Sequence, residues 1–134
     1  MSTTLLALLG FLSWTLFLLV LMEAIRSKLV ISGQVLANGF NPGNSNLSGF
    51  MQRLARAHAN CLEGLPVFGG LMLLAVVAGR SSVTDPLAYV LLGARIVQST
   101  IHLASTSSPA VCARFAAFAV QMGIAAYWAV RLHG

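Results

Sequence analysis

The sequence predicts an all-α membrane protein, an up-and-down bundle of four transmembrane helices forming a single domain. Three observations carry that expectation. Of the 134 residues, 57% are hydrophobic and 8% charged, against about 25% charged in soluble domains, and mean hydropathy is +0.84. The apolar residues gather in four runs, each close to the ~20 residues a helix needs to cross a bilayer. Between the runs stand Asn, Gly, Ser and Pro, the residues of turns.

The first span covers residues 4–24, a run of Leu, Phe, Trp and small side chains that ends at Glu23, Arg26 and Lys28. It lacks the basic leader and small-residue cleavage site of a signal peptide, so it reads as a retained helix. Arg26 either snorkels into the interface or reaches back toward a neighbouring polar site. Residues 29–46 include ANGFNPGNSN, whose turn chemistry predicts a polar loop, and Ser45 or Ser48 is placed to cap the helix that follows.

The second span is expected over residues 48–79. Its charge-free part, residues 64–77, is too short to cross alone, so the span must take in Asn60 and Glu63. Pro66 removes one helical hydrogen bond there and permits a kink. GRSSVTD is a turn, and Pro86 suits the first turn of a third span over residues 86–106. After the loop STSSP, the fourth span covers residues 110–131. Arg114 lies in its first turn, Gln121 is its strongly polar interior residue, and Tyr127, Trp128 and Arg131 are expected as interfacial anchors.

The net charge of +5 comes from eight basic residues scattered without a basic run, which points to membrane orientation and away from nucleic acid as a partner. Arg26, Lys28, Arg53, Arg56 and Arg114 fall on the side of the first loop, so that loop is expected in the cytoplasm and both termini outside. Cys61 and Cys112 have no CxxC or ligand spacing, and neither a disulfide framework nor a metal site is expected.

The chemistry concentrates in RLARAHANCLE, residues 53–63. On a helix Arg53, Arg56, Asn60 and Glu63 fall within about 80° of one another, and His58 points the other way. The third span carries Arg95, Gln98 and His102 on one face. Polar stripes inside a membrane are costly unless they face other helices or a polar ligand. One reading is structural, with Glu63 pairing Arg95 or Arg56 and Asn60 bonding a neighbouring backbone. The sharper reading is a site for a small charged ligand, because arginine forks suit carboxylates and a carboxylate suits an ammonium group. A proton relay through Glu63 and His102, or a channel along the stripes, would need polar residues in the outer half of the spans, where few stand.

The run RAHANCLEGLP at Arg56–Pro66, with GARIV at Gly93–Val97, resembles the second- and third-helix signatures of the MAPEG proteins (membrane-associated proteins in eicosanoid and glutathione metabolism). The resemblance covers nearly the whole chain. It implies a homotrimer with glutathione held at the subunit interfaces, a small hydrophobic co-substrate arriving through membrane lipid, and glutathione transferase or peroxidase chemistry. It implies binding roles for Arg53, Arg56, Asn60, Glu63 and Arg95, with Gln98 at a nearby position often held by another polar residue. A multi-pass protein of a bacterial inner membrane is the expected setting.

Two departures bear on catalysis. His102 stands where characterised members usually have tyrosine. The arginine that the resemblance assigns to the glutathione thiolate falls near Val111, whereas this chain has Arg114. The candidate catalytic residues are therefore Arg114 and His102. A cation beside the sulfur favours the reactive thiolate, and a non-catalytic binding or scaffolding member of the same fold is the alternative.

Overall fold

A computed structural model describes all residues 1–134. It contains four helices long and apolar enough to cross a membrane, and no strand. They are α1, Thr3–Ile31; α2, Gly49–Val77; α3, Ser81–Ala104; and α4, Ser108–His133. Successive helices are antiparallel. The start of α3 meets the end of α4 through Arg80, whose guanidinium donates to the Leu132 and Arg131 carbonyls at 3.0 Å each. The two chain termini and the α2–α3 turn share one end of the bundle, and the α1–α2 and α3–α4 loops share the other.

Three of the four helices start on a serine side-chain cap. Ser2, Ser48 and Ser107 accept from Leu5, Met51 and Ala110 backbone N–H groups, satisfying donors that a helix start leaves open. At α1 a second acceptor comes from α3. Asp85 takes the Thr4 backbone N–H at 2.8 Å and the Thr4 hydroxyl at 2.5 Å, and the Thr4 and Thr84 hydroxyls lie 2.6 Å apart.

Three expectations are corrected here. The first helix does not end near residue 24; it continues to Ile31, because Glu23 and Arg26 pair at 3.1 Å one turn apart and no breaker intervenes before Gly33. The third helix starts at Ser81, with Pro86 inside it; the amide that Pro86 lacks would have bonded back to Ser82, so the loss is one bond in the first turns. Trp128 is not an interfacial anchor. It is fully buried, because it continues the inward face of Gln121, Ile124 and Ala125.

At Pro66 the backbone of α2 widens into a π-helical turn, Leu65–Gly69. The missing proline N–H and its ring prevent the regular ladder there. The α1–α2 loop is ordered around Asn44, which is buried and sits at φ 59, a left-handed conformation that Asn tolerates better than most residues. Its side chain donates to the Met51 carbonyl at 2.8 Å and accepts from Arg26. Arg26 also lies over the Phe40 ring. Of the two roles open to Arg26, anchoring a neighbouring polar group is the one observed, and that group is the loop.

Buried apolar side chains form two clusters. One, at the terminal end, contains Phe11, Phe68, Met72, Leu91 and Trp128. The other, at the loop end, contains Leu18, Met22, Met51, Leu54 and Cys61. Asn60, Arg95, Gln98 and Gln121 bond to one another in a layer between the two.

Candidate functional site

The inward seam of α3 runs Thr84, Ala88, Leu91, Arg95, Gln98 and His102, all buried. That spacing of three and four residues is a core-facing stripe, and its last three members are polar. Arg95 is the centre of a hydrogen-bonded layer. Its Nε donates to Gln121 Oε1 at 2.9 Å and its Nη1 to Asn60 Oδ1 at 2.6 Å. Gln98 Nε2 donates to the same Asn60 oxygen at 3.0 Å, and Gln121 Nε2 donates to Gln98 Oε1 at 2.8 Å. Phe11, Phe68 and Phe118 surround the guanidinium, with ring centroids at 5.5, 5.8 and 5.9 Å. Their faces supply the attraction that its Nη2, buried without a hydrogen-bond partner, lacks otherwise.

Gly64 makes this layer possible. A Cβ there would stand 3.0 Å from Arg95 Nη2 and from two atoms of the Phe68 ring. Cys61 is buried one turn away, with its sulfur 3.4 Å from the Ser99 hydroxyl; it packs as a small core residue, and Cys112 is exposed on α4.

The rest of the α2 stripe faces outward. Arg56 and Glu63 are exposed and make no hydrogen bond or ion pair within the chain; the one ion pair is Glu23–Arg26. The structural pairing of Glu63 with Arg95 or Arg56 is therefore not formed. Arg53 is half-buried, and its Nε donates at 2.9 Å to the Leu103 carbonyl at the end of α3, where a cation also complements the helix dipole. His58 lies on the opposite side of α2, within reach of the Glu23 charge on α1.

The stripe stays open because of how α4 packs. That helix lies along α3 and touches α2 only beyond Gly64, and it does not pack against Gly49–Gly64. Between Ala110 and Val120 it buries no residue. A cleft of about 450 Å³ results between α2 and α4, with Asn60 and Glu63 at its polar end and Val67, Phe68, Phe118 and Met122 along its apolar walls. Toward the loop end, His102 is buried on α3, two turns beyond Arg95 on the same seam. Arg114 is half-buried, its Nε without a partner, and it falls two turns before Gln121 on the same face of α4. Val111 is exposed.

A layered site follows. One level holds the neutral amides and Arg95, with Glu63 at its edge; the next holds Arg56, His102 and Arg114 with no carboxylate among them. The family model described as MAPEG family matches residues 4–133. The chain belongs to the MAPEG family. Membership places it among the membrane proteins of glutathione and eicosanoid metabolism, and its four long apolar helices make it an integral, multi-pass one. No curated protein sequence and no solved structure matches it.

Of the residues expected in the site, Arg95 and Gln98 both donate to Asn60. Arg56, His102 and Arg114 lie on three helices on the loop side of that layer, and Glu63 lines the polar end of the cleft. Arg53 is the one drawn off to another task, the end of α3. Gln121 completes the buried layer. Its sequence signal was a lone strong polar residue in an apolar span; what it bonds depends on the register between α3 and α4.

Proposed function

We propose that this MAPEG protein binds glutathione against α2, at subunit interfaces of a homotrimer, and uses it as a transferase or peroxidase on lipophilic electrophiles. The observation that carries the reading is the unpaired state of Arg56 and Glu63. Two opposite charges on the exposed face of a membrane-crossing helix, neither satisfied within the chain, are unfavourable until a partner supplies counter-charges. Glutathione offers two carboxylates and one ammonium, which matches an arginine, an amide donor and a carboxylate in one stripe. A second copy of the chain laid against the same face would exclude lipid from it, and the poorly buried loop-side half of α4 supports such a neighbour.

For the reaction, the cationic level is the relevant one. A thiol with an ordinary pKa near 8.5 becomes a nucleophile when a cation favours its thiolate. Arg114, with a free guanidinium edge, is assigned that task, and His102 a supporting one. In the transferase reaction the sulfur bonds to an electrophilic carbon while the leaving group departs with the carbon's former electron pair. The electrophile would enter from lipid along the apolar walls of the cleft. The excess of arginine at the loop end supports a cytoplasmic placement of that end, as expected in a bacterial inner membrane.

A non-catalytic binding member is the second reading, and it has its own observation: the exposed position at Val111 carries no cation, and the arginine stands instead at position 114, two turns before Gln121. Calorimetry of the detergent-solubilised protein tests the binding claim. Wild type is expected to bind reduced glutathione saturably, and Glu63→Gln to lose that binding while light scattering shows the oligomer intact. Absence of binding by wild type would remove glutathione as the ligand.

A further inference from the structure

We propose that Asn60 meets its ligand as a hydrogen-bond donor only, and that Arg95, Gln98 and Gln121 are positioning residues that fix this polarity from behind. The inference rests on the glutathione reading and narrows it, because the ligand group at Asn60 must then be an acceptor, a carboxylate or a carbonyl oxygen, and never the ammonium.

The direction of every bond in the layer follows from one fact about arginine: its guanidinium has five N–H donors and no acceptor. Arg95 Nε points at Gln121, so the oxygen of that amide must face it. The Gln121 NH2 is thereby turned to the Gln98 oxygen and to the Ala117 carbonyl. With its oxygen occupied, Gln98 presents its NH2 to Asn60, where Arg95 Nη1 also points. Two donors converge on the Asn60 oxygen. Reversing any one amide would set donor against donor at hydrogen-bond distance, and no member can relieve that while Arg95 stays.

What remains of Asn60 is its NH2. Both hydrogen bonds of its side chain go to the oxygen, and the residue lines the polar end of the cleft beside Glu63 and Gly64. An amide is ordinarily ambivalent and can turn over to suit either a donor or an acceptor. This one is locked. Discrimination at the site is thus divided between neighbours on one face of α2: Glu63 for the cationic group of a ligand, Asn60 for an acceptor.

Asn60→Asp and Gln121→Glu test the claim, since each keeps the oxygen that Arg95 addresses and replaces the NH2 donor with a second, charged acceptor oxygen. The measurement is side-chain amide NMR of 15N-labelled protein in detergent, titrated with reduced glutathione, with the Asn60 signals identified by their loss in Asn60→Asp. The Asn60 NH2 signals are expected to shift on saturation while those of Gln121 stay in place. Asn60→Asp is expected to bind glutathione at least tenfold more weakly with its oligomer and melting temperature retained. Gln121→Glu is expected to move the Asn60 signals without any ligand, an effect that loss of packing alone would not confine to that group. Glutathione that shifts signals of the α2 backbone but leaves the Asn60 NH2 unmoved, or that binds Asn60→Asp within twofold of wild type, overturns this inference and leaves the ligand standing. Glutathione that shifts no signal anywhere overturns the ligand itself, and the role of Asn60 with it.

Discussion

Replacing Arg95 by methionine removes a cation from the meeting point of three helices while keeping an unbranched side chain of similar reach. The lost interactions are the hydrogen bonds to Gln121 at 2.9 Å and Asn60 at 2.6 Å and the contacts with three phenyl rings. In a water-soluble protein, hydrogen bonds from a charged group contribute about 1.5–3 kcal/mol each, which would make the pair worth as much as a small domain's whole stability margin. In a membrane the appropriate figure is smaller, averaging about 0.6 and reaching about 1.7 kcal/mol, because helices apart in lipid also find polar partners. The two bonds then contribute about 1–3 kcal/mol, and ring contacts of about 0.5 kcal/mol apiece bring the loss to roughly 3 kcal/mol. The penalty for keeping an arginine out of water is common to assembled and separated helices, so removing the charge does not offset this. Reversible unfolding of Arg95→Met in mixed detergent micelles, followed by circular dichroism, should show that loss. Arg95→Lys should lose more than half as much, since an ammonium cannot address Gln121 and Asn60 together as a fork does. A change below about 0.5 kcal/mol for Arg95→Met, within the range of ordinary surface substitutions, would refute the view that this guanidinium holds α2, α3 and α4 in register.

Other perturbations probe the rest of the account. Gly64→Ala places a methyl 3.0 Å from Arg95 Nη2 and Phe68; overpacking of this kind costs about 1–3 kcal/mol, and thermal unfolding should show it together with weakened glutathione binding as Arg95 is pushed off Asn60. Asp85→Ala removes the acceptor for Thr4 and should destabilise the start of α1 by about 1 kcal/mol, read as faster hydrogen exchange confined to its first turns. Arg114→Ala should lower turnover of glutathione with a model lipophilic electrophile by at least about tenfold, or ~1.4 kcal/mol at the transition state, and unchanged turnover would exclude Arg114 from the reaction and favour the purely binding reading.

Much of this molecule is legible in its sequence, for a reason peculiar to membranes. In an apolar background each polar residue is conspicuous, so Arg56, Asn60 and Glu63 on α2 and Arg95, Gln98 and His102 on α3 could be picked out from spacing alone. Periodicity does not say which face of a stripe is turned inward. On α2 the stripe divides, Asn60 toward the bundle and Arg56 and Glu63 toward its surroundings, because α4 leaves Gly49–Gly64 uncovered. Long-range partners are the other blind spot. Asp85 falls in the segment GRSSVTD, and its role as acceptor for Thr4 emerges only with α1 and α3 side by side, just as the partners of Gln121 emerge only with α3 and α4 in register. Trp128 was misplaced because nearness to a helix end suggests an anchor, whereas its position on the Gln121–Ile124–Ala125 face puts it in the core.

The central claim is that the stripe Arg56–Asn60–Glu63 holds a thiol peptide next to the cationic level of Arg114 and His102. A density map of the detergent-solubilised protein, recorded with saturating reduced glutathione, tests it most directly. The account predicts peptide density between subunits against α2, with an acceptor oxygen at the Asn60 NH2, the ammonium at Glu63, and the Arg114 guanidinium as the cation nearest the sulfur. Glutathione density away from α2, or none at an occupancy the calorimetry would demand, contradicts it.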